Sequence, residues 1–122
     1  MITRDTVAPI AQELRELPGV TRVLLAGRDG VPFYDDLPLA ARDHAAAATA
    51  SALGVGALIC DGVKLGAMEG GAVFGSHGVL VYRPLECSYV LAVIARSTVD
   101  LADLYRRMRK EARILDQAAL KE

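Results

Sequence analysis

The sequence predicts a single α/β (α+β) domain, a three-layer sandwich in which helices cover both faces of a five-stranded antiparallel sheet. Three observations predict it: an amphipathic helical pattern at each end of the chain, short turns between strand-like segments, and one long apolar run between the second and third of those segments. The resulting element order is α-β-β-α-β-β-β-α. Because 122 residues are the size of one domain, we expect residues 1–122 to form a single unit.

The chain begins with a helix followed by a β-hairpin. Thr3 or Asp5 can cap the helix. Its buried face is predicted from apolar residues at helical spacing: Val7, Ile10, Leu14 and Leu17. The hairpin strands are residues 20–27 and 31–35, and Pro32 favours an edge position for the second of them.

Three further strands are predicted after the long run, at residues 66–75, 79–83 and 88–95. The last is apolar on both faces, which predicts a central strand. The first is rich in glycine and has the character of an edge strand, with Met68, Ala72 and Phe74 as packing residues.

A third helix ends the chain, and Ser97 is its predicted cap, with Asp100 as the capping-box partner. Its buried stripe is Leu101, Leu104, Tyr105, Met108, Ala112 and Leu115. The short amphipathic helices at the two ends can share one face of the sheet, which leaves the other face for the long middle helix.

Residues 39–63 form the stretch around which the chain is organised. Residues 45–60 are sixteen residues without a charge, in which alanine is the commonest residue, and they predict one helix. A helix that is apolar nearly all round must be buried, and a small domain cannot easily cover both of its sides. We therefore expect a second subunit to cover the outer side. The alternative is a membrane span, which is disfavoured because a bilayer requires about 20 apolar residues.

The two sides of this helix are told apart by side-chain size. The larger, β-branched residues are assigned to the protomer's own core, on the face that carries Ala45, Ala48, Ala52, Val55, Ile59 and Val63. The opposite face is the predicted dimer seam, and it carries Ala46, Ala50, Leu53 and Ala57. Small residues there would let two helix backbones approach closely.

Polar residues at the helix ends fit a self-complementary contact. An antiparallel two-fold pairing centred near Ser51 brings Arg42 opposite Asp61 of the partner. The same pairing brings Asp43 close to the partner's Lys64. The alternative is that these four are solvated helix ends, where such pairs contribute little.

The glycine-rich edge strand can extend the seam. If it pairs with its own copy across the two-fold axis, Met68 and Ala72 join the predicted interface. The alternative is a bulged, twisted edge that pairs with nothing.

Composition excludes several classes of function. The net charge of −1 argues against general attraction to nucleic acid or to a membrane surface. Two cysteines make neither a disulfide framework nor a zinc site, and the N-terminus has no apolar signal segment. We expect a cytoplasmic protein without cofactor or metal.

No group of residues predicts an active site. His44 and His77 lack neighbours at metal-ligand spacing. Cys60 is interpreted as a packing residue, and Cys87 lies in a turn beside Glu86, which discourages a thiolate.

Two charged segments have a structural and a functional interpretation. Asp35-Asp36 could be an acid pair, but a solvated loop is favoured because adjacent strand residues point apart. The basic run at residues 105–113 could bind anions or an acidic partner, and a solvated helix face is the default. The residues therefore indicate a binding module rather than an enzyme.

The ordered set of elements and short motifs resembles the Roadblock / dynein light chain family, and the opening motif is most similar to its MglB-like bacterial branch. The match covers nearly the whole chain. Its motifs are Leu17-Pro18-Gly19-Val20, Asp29-Gly30, the alanine-rich helix, Glu69-Gly70-Gly71, Val81-Tyr82-Arg83-Pro84-Leu85 and Leu91-Ala92-Val93-Ile94-Ala95.

The resemblance implies a profilin-like sandwich that forms homodimers, in which the middle helices pair and the third strands join two sheets. It also implies a Ras-like small GTPase as partner, since family members bind or regulate such GTPases and MglB-type members activate GTP hydrolysis. Other members serve as scaffolds. The glycine-rich helix end and third strand depart from the family pattern, so the register of the joined sheets is open.

Two other functions remain as alternatives. Profilin-like sandwiches also occur in sensors, so a small-molecule-sensing or assembly module without a GTPase partner is one. A thiol enzyme that uses Cys60 or Cys87 is the other.

Overall fold

The computed structural model of the chain describes residues 1–36 and 39–121, and the side chains of all of these except residues 39–41. The predicted link at residues 37–38 lies outside that range. In the described residues, three helices and five strands follow one another in the predicted order, which confirms the fold class. They are α1 (Arg4–Arg15), β1 (Val20–Gly27), β2 (Pro32–Asp35), α2 (Leu39–Gly62), β3 (Gly71–Gly75), β4 (Gly78–Pro84), β5 (Tyr89–Ala95) and α3 (Leu101–Ala119).

The strands form one antiparallel sheet in the order β2-β1-β5-β4-β3. The apolar strand β5 lies at the centre, and the proline-containing strand β2 lies at one edge, as predicted. β3 forms the other edge, but it is shorter than the predicted strand. The chain before it turns with positive φ at Lys64 and Gly66, so residues 66–70 do not join the ladder.

Side chains of the sheet alternate between two cores. Val23 and Leu25 pack with α1 and α3, whereas Leu24 and Ala26 pack with α2 on the other face. The two end helices therefore share one face and the middle helix covers the other, which confirms the predicted layers.

Side-chain hydrogen bonds fix where the end helices begin. The backbone N–H of Thr6 donates to the hydroxyl oxygen of Thr3 over 3.2 Å, so Thr3 is the cap of α1. In α3 the cap is Asp100, whose carboxylate accepts from the N–H of Asp103 over 3.0 Å. The predicted Ser97 cap is wrong because a turn between Arg96 and Val99 (N···O 3.0 Å) delays the start of the helix.

Candidate interaction surface

The side of α2 that lies on the sheet is built from small residues and one leucine. Ala46 is 0 % exposed and Leu53 is 7 % exposed, and both pack against Leu24, Ala26 and other residues of the same core. The prediction that Ala46 and Leu53 face outward is therefore wrong. Ala50, of the same predicted seam, is half-buried.

The physical reason is that the sheet, not the helix, supplies the bulk at this contact. Tyr82 rises from β4, and its hydroxyl donates to the carbonyl oxygen of Ala52 over 3.1 Å. A Cβ added at Gly56 would lie 2.9 Å from that hydroxyl oxygen and 2.4 Å from the Cε of Met68. Small residues on α2 thus make room for large side chains below the helix.

The opposite side of α2 carries its large apolar residues into solvent. Val55, Leu58 and Ile59 are exposed there, and Leu58 reaches 73 %. The prediction that Ala48, Val55, Ile59 and Val63 belong to the protomer's core is therefore wrong, because all four are exposed. Ala45 and Ala52, of the same predicted stripe, are half-buried.

The C-terminal part of α2 projects past the sheet. Ala57 lies one turn after the buried Leu53 on the same side of the helix, yet it is exposed. Between residues 57 and 62 only Cys60 is partly covered. This end of the helix therefore lacks cover on nearly every side within one protomer.

Exposed apolar side chains are also found on the edge strand β3, which contacts α2. Val73 pairs with Leu80 and lies on the α2 face of the sheet, whereas Phe74 pairs with Val79 and lies on the α1/α3 face of the same edge. Val73 and Phe74 of β3 are exposed, Phe74 at 70 %. We call the combined area the α2/β3 surface, defined by Val55, Leu58, Ile59, Val63, Leu65, Val73 and Phe74. A cluster of large apolar side chains in solvent is typical of a protein-protein interface.

The predicted seam residues lie on or beside this surface to different degrees. Ala57, Asp61, Lys64 and Ala72 are exposed near it and Met68 is half-buried, whereas Asp43 is exposed near the other end of α2. The half-buried Arg42 donates from Nη2 to the carbonyl oxygen of Asp35 over 3.0 Å within the protomer.

The α2/β3 surface also contains Leu58, Val73 and Phe74, which the sequence pattern did not assign to the predicted dimer seam. The pattern Val55-Leu58-Ile59 at helical spacing was the signal that could have found the helical part.

The Asp35-Asp36 pair is structural, so the predicted solvated loop is wrong. Asp35 is 5 % exposed, and it accepts from Nε of Arg22 over 2.8 Å and from Nη2 over 2.6 Å. Asp36 accepts from the backbone N–H of Val23 over 2.7 Å and pairs with Arg15. The two carboxylates point apart, as the strand pattern requires, and each joins β2 to a cation on another element.

The candidate thiol and metal residues offer little chemistry. Burial raises the pKa of the Cys87 thiol, with a further contribution from Asp116, so the reactive thiolate is disfavoured there. Among residues 1–36 and 39–121, no three His, Cys, Asp or Glu side chains lie together as a metal site.

Within the part of the chain that the structure describes, the segment Arg42–Gly62 is long and apolar enough to cross a membrane by length and composition. It lies across the sheet, however, with Ala46, Thr49 and Leu53 buried against it. The helix thus forms one layer of the domain, as a helix that packs on a sheet does.

Neither a protein-family model nor a curated protein matches the sequence. Solved structures do match the fold. The Roadblock/LC7 domain from Streptomyces avermitilis superposes with a TM-score of 0.85 at 20 % identity, over 92 % of this chain and 96 % of that one. Myxococcus xanthus MglB has a TM-score of 0.82 at 14 % identity, over 94 % and 95 %. The gliding protein MglB from Thermus thermophilus has 0.78 at 15 %, over 93 % and 87 %. The chain therefore has the fold of the Roadblock/LC7 domains, as the sequence resemblance implies.

Proposed function

We propose that this chain is a cytoplasmic homodimer that binds a Ras-like small GTPase and regulates it, as an activator of GTP hydrolysis or as a scaffold. The observation that carries the proposal is the α2/β3 surface, where large apolar side chains of a helix lie in solvent beside an edge strand. Its support is the Roadblock/LC7 fold together with the family resemblance of the motifs.

A two-fold partner can cover both parts of this surface at once. Ser51 is exposed on the same side of α2 as Val55 and Leu58, so an antiparallel helix pair with its axis near Ser51 covers these side chains with the partner's helix, and Val55 lies opposite the partner's Ala47. In this pairing the start of each helix lies beside the end of the partner's helix, which places Asp43 near the partner's Lys64. Arg42 lies on the sheet side of α2, bonded to Asp35, so its predicted pair with the partner's Asp61 is not part of this contact.

Strand β3 sets the register of a joined sheet. Full antiparallel pairing of its five residues across a two-fold axis places Val73 opposite the partner's Val73, and Ala72 opposite the partner's Phe74. Residues that are opposite in such a pair share a face. The partner's Phe74 then lies over an apolar groove of about 560 Å³ that Ala72 lines together with Val81, Leu101 and Tyr105.

The dimer gives a GTPase a platform that one protomer lacks. Two paired helices and their projecting ends form one continuous surface across the axis. None of the seven residues of the α2/β3 surface is an arginine, so activation would not rest on an inserted guanidinium. It would instead hold the GTPase's own catalytic loops in their productive positions.

Experiments on the purified protein test first the dimer and then the GTPase partner. Light scattering should give twice the 13.0 kDa chain mass, and a Val73→Cys variant should form a disulfide-linked dimer under mild oxidation because the two Cβ atoms meet at the axis. Each Ras-like GTPase encoded in the same genome is then titrated with the protein, and bound fraction and single-turnover GTP hydrolysis are followed.

The expected result is saturable binding of at least one GTPase, with faster hydrolysis if the protein is an activator. Absence of both binding and rate change for every such GTPase would overturn the proposal. A small metabolite that raises the melting temperature of a protein without a GTPase partner would favour the sensing module instead.

A further inference from the structure

Four arginines from three parts of the fold line one open groove near the end of the sheet where β1 and β4 finish. Arg28 comes from the β1–β2 turn, Arg83 from β4, and Arg109 and Arg113 from α3. The groove has a volume of about 430 Å³. Because these residues are far apart in sequence, the fold brings together charges that the basic run of α3 alone does not predict.

Two of the four guanidinium groups are held in place by neutral oxygen atoms. Arg28 donates from Nη2 to the carbonyl oxygen of Leu85. Arg83 donates from Nη1 to the carbonyl oxygen of Glu69 over 3.0 Å and to the hydroxyl of Tyr105 over 2.9 Å, and it lies 5.7 Å from the centre of that ring. A guanidinium has five N–H donors, so each group has further donors for a ligand.

The other two arginines differ from neighbouring arginines of α3 in their ion pairing. Arg106 and Arg107 both pair with Asp103. Arg109 and Arg113 are exposed and lie one turn apart. None of the four groove arginines forms an ion pair in the part of the chain that the structure describes. The positive charge of the groove is thus available to a ligand.

The other residues that line the groove restrict the chemical class of ligand that it can bind. Its floor is apolar, with Leu85 and Ala112 buried and Met68 half-buried. Three carboxylates also line the groove, those of Glu69, Glu86 and Asp116, and Asp116 accepts from the backbone N–H groups of Glu86 and Cys87 over 3.0 and 3.4 Å. These carboxylates repel a continuous phosphate backbone, but they leave room for one or two acidic groups beside an apolar side chain.

We propose that this groove binds a short acidic segment of a partner protein, with carboxylates on Arg83, Arg109 and Arg113 and an apolar side chain on the Leu85 floor. Arg83 of β4 pairs with Leu91 of β5, which belongs to the core that packs with α1 and α3, so the groove opens on the α3 side of the sheet. The α2/β3 surface is formed largely by α2, on the other side of the sheet. Binding here is therefore additional to the dimer and to GTPase binding.

The probe is a fluorescein-labelled peptide of alternating glutamate and leucine, followed by fluorescence anisotropy. The unmodified protein should bind it saturably, and the affinity should fall about ten-fold or more in an Arg109→Glu/Arg113→Glu variant, since two ion pairs become repulsions. The matched control is Arg106→Glu/Arg107→Glu, which changes the net charge equally on the same helix outside the groove and should lose much less.

Three results would overturn the proposal. They are the absence of saturable binding up to about 1 mM peptide, an equal loss in both double variants, and tighter groove-dependent binding of a single-stranded DNA oligonucleotide than of the peptide. Circular dichroism of both variants checks that the fold is intact, which is expected because all four substituted residues are exposed.

Discussion

The hydroxyl of Tyr82 donates to the carbonyl oxygen of Ala52 over 3.1 Å, so that a side chain of β4 is bonded to the backbone in the middle of α2. Tyr82 is buried, and burial raises the pKa of its hydroxyl, with a further contribution from Cys60. The bond gives the buried hydroxyl a partner and holds the alanine-rich helix close to the sheet.

Replacement of Tyr82 by Phe removes this bond and keeps the ring. A hydrogen bond of this kind contributes about 1 kcal/mol to the free energy of unfolding, so we expect the melting temperature of Tyr82→Phe to fall by about 3–5 °C. Thermal unfolding followed by circular dichroism measures it. An unchanged melting temperature would mean that the bond adds nothing to stability.

Two glycines of α2 should respond in opposite ways to the same substitution. A Cβ at Gly54 meets nothing within 4 Å, whereas one at Gly56 meets Tyr82 and Met68. Gly54→Ala should raise the free energy of unfolding by about 1 kcal/mol through helix propensity. Gly56→Ala should gain less or lose stability, because its methyl group displaces the Tyr82 hydroxyl. Urea unfolding of the two variants side by side gives the comparison, and equal gains would argue against the close helix–sheet approach.

The order and type of the elements could be predicted because local signals agree. Residues 20–27 were predicted as a strand and form one, since an apolar run is bounded there by Pro18-Gly19 and Asp29-Gly30. The two end helices have clear apolar stripes, and their placement on one face of the sheet followed from those stripes.

The orientation of α2 could not be predicted in the same way. An alanine-rich helix that is apolar all round has a weak preference for any face, and the rule that larger residues lie inside fails because Tyr82 and Leu24 of the sheet fill that space. The burial of Asp35 was likewise hidden, because it depends on Arg22, which becomes a neighbour only through the pairing of Leu24 with Asp35.

Thr49 is fully buried on the side of α2 that faces the sheet, and its hydroxyl has no hydrogen-bond partner. A buried hydroxyl that lacks a partner costs about 1–3 kcal/mol. Thr49→Val replaces it with a methyl group of similar shape, so we expect the free energy of unfolding to rise by about 1 kcal/mol. Thr49→Ser is the control, because it keeps the hydroxyl and loses the methyl group, and it should be less stable than the unmodified protein in the same urea titration.

Glu111 gives the stability a dependence on pH. It is 7 % exposed on α3, and burial raises the pKa of its carboxyl group above 4.5; Lys110 opposes this rise and Glu13 adds to it. The folded protein therefore binds the proton more tightly than the unfolded chain, and this contribution to stability is lost as the pH rises from 4.5 through the raised value.

Glu111→Gln removes the buried charge. Its melting temperature should exceed that of the unmodified protein at pH 7, and the difference should shrink as the pH falls toward 4.5. Glu16→Gln, at an exposed position of α1, is the control and should show no such trend. A constant difference between pH 4.5 and 7 would contradict the assignment of this dependence to Glu111.

Leu53 and Leu58 lie on opposite sides of α2, and the same substitution at each separates the fold from the proposed dimer. Leu58 is largely exposed in the protomer, so Leu58→Glu should leave the helical content unchanged and convert a dimer into monomers, since two carboxylates would enter the apolar contact. Leu53 packs against the sheet, so Leu53→Glu should bury a charge. This costs several kcal/mol, which approaches the whole free energy of unfolding of a small domain, so the variant should lose its helical content. Light scattering and circular dichroism of the two variants give both readouts. A Leu58→Glu protein that keeps the dimer mass would exclude the α2/β3 surface as the interface, and a folded, monomeric Leu53→Glu protein would restore the outward assignment of that side.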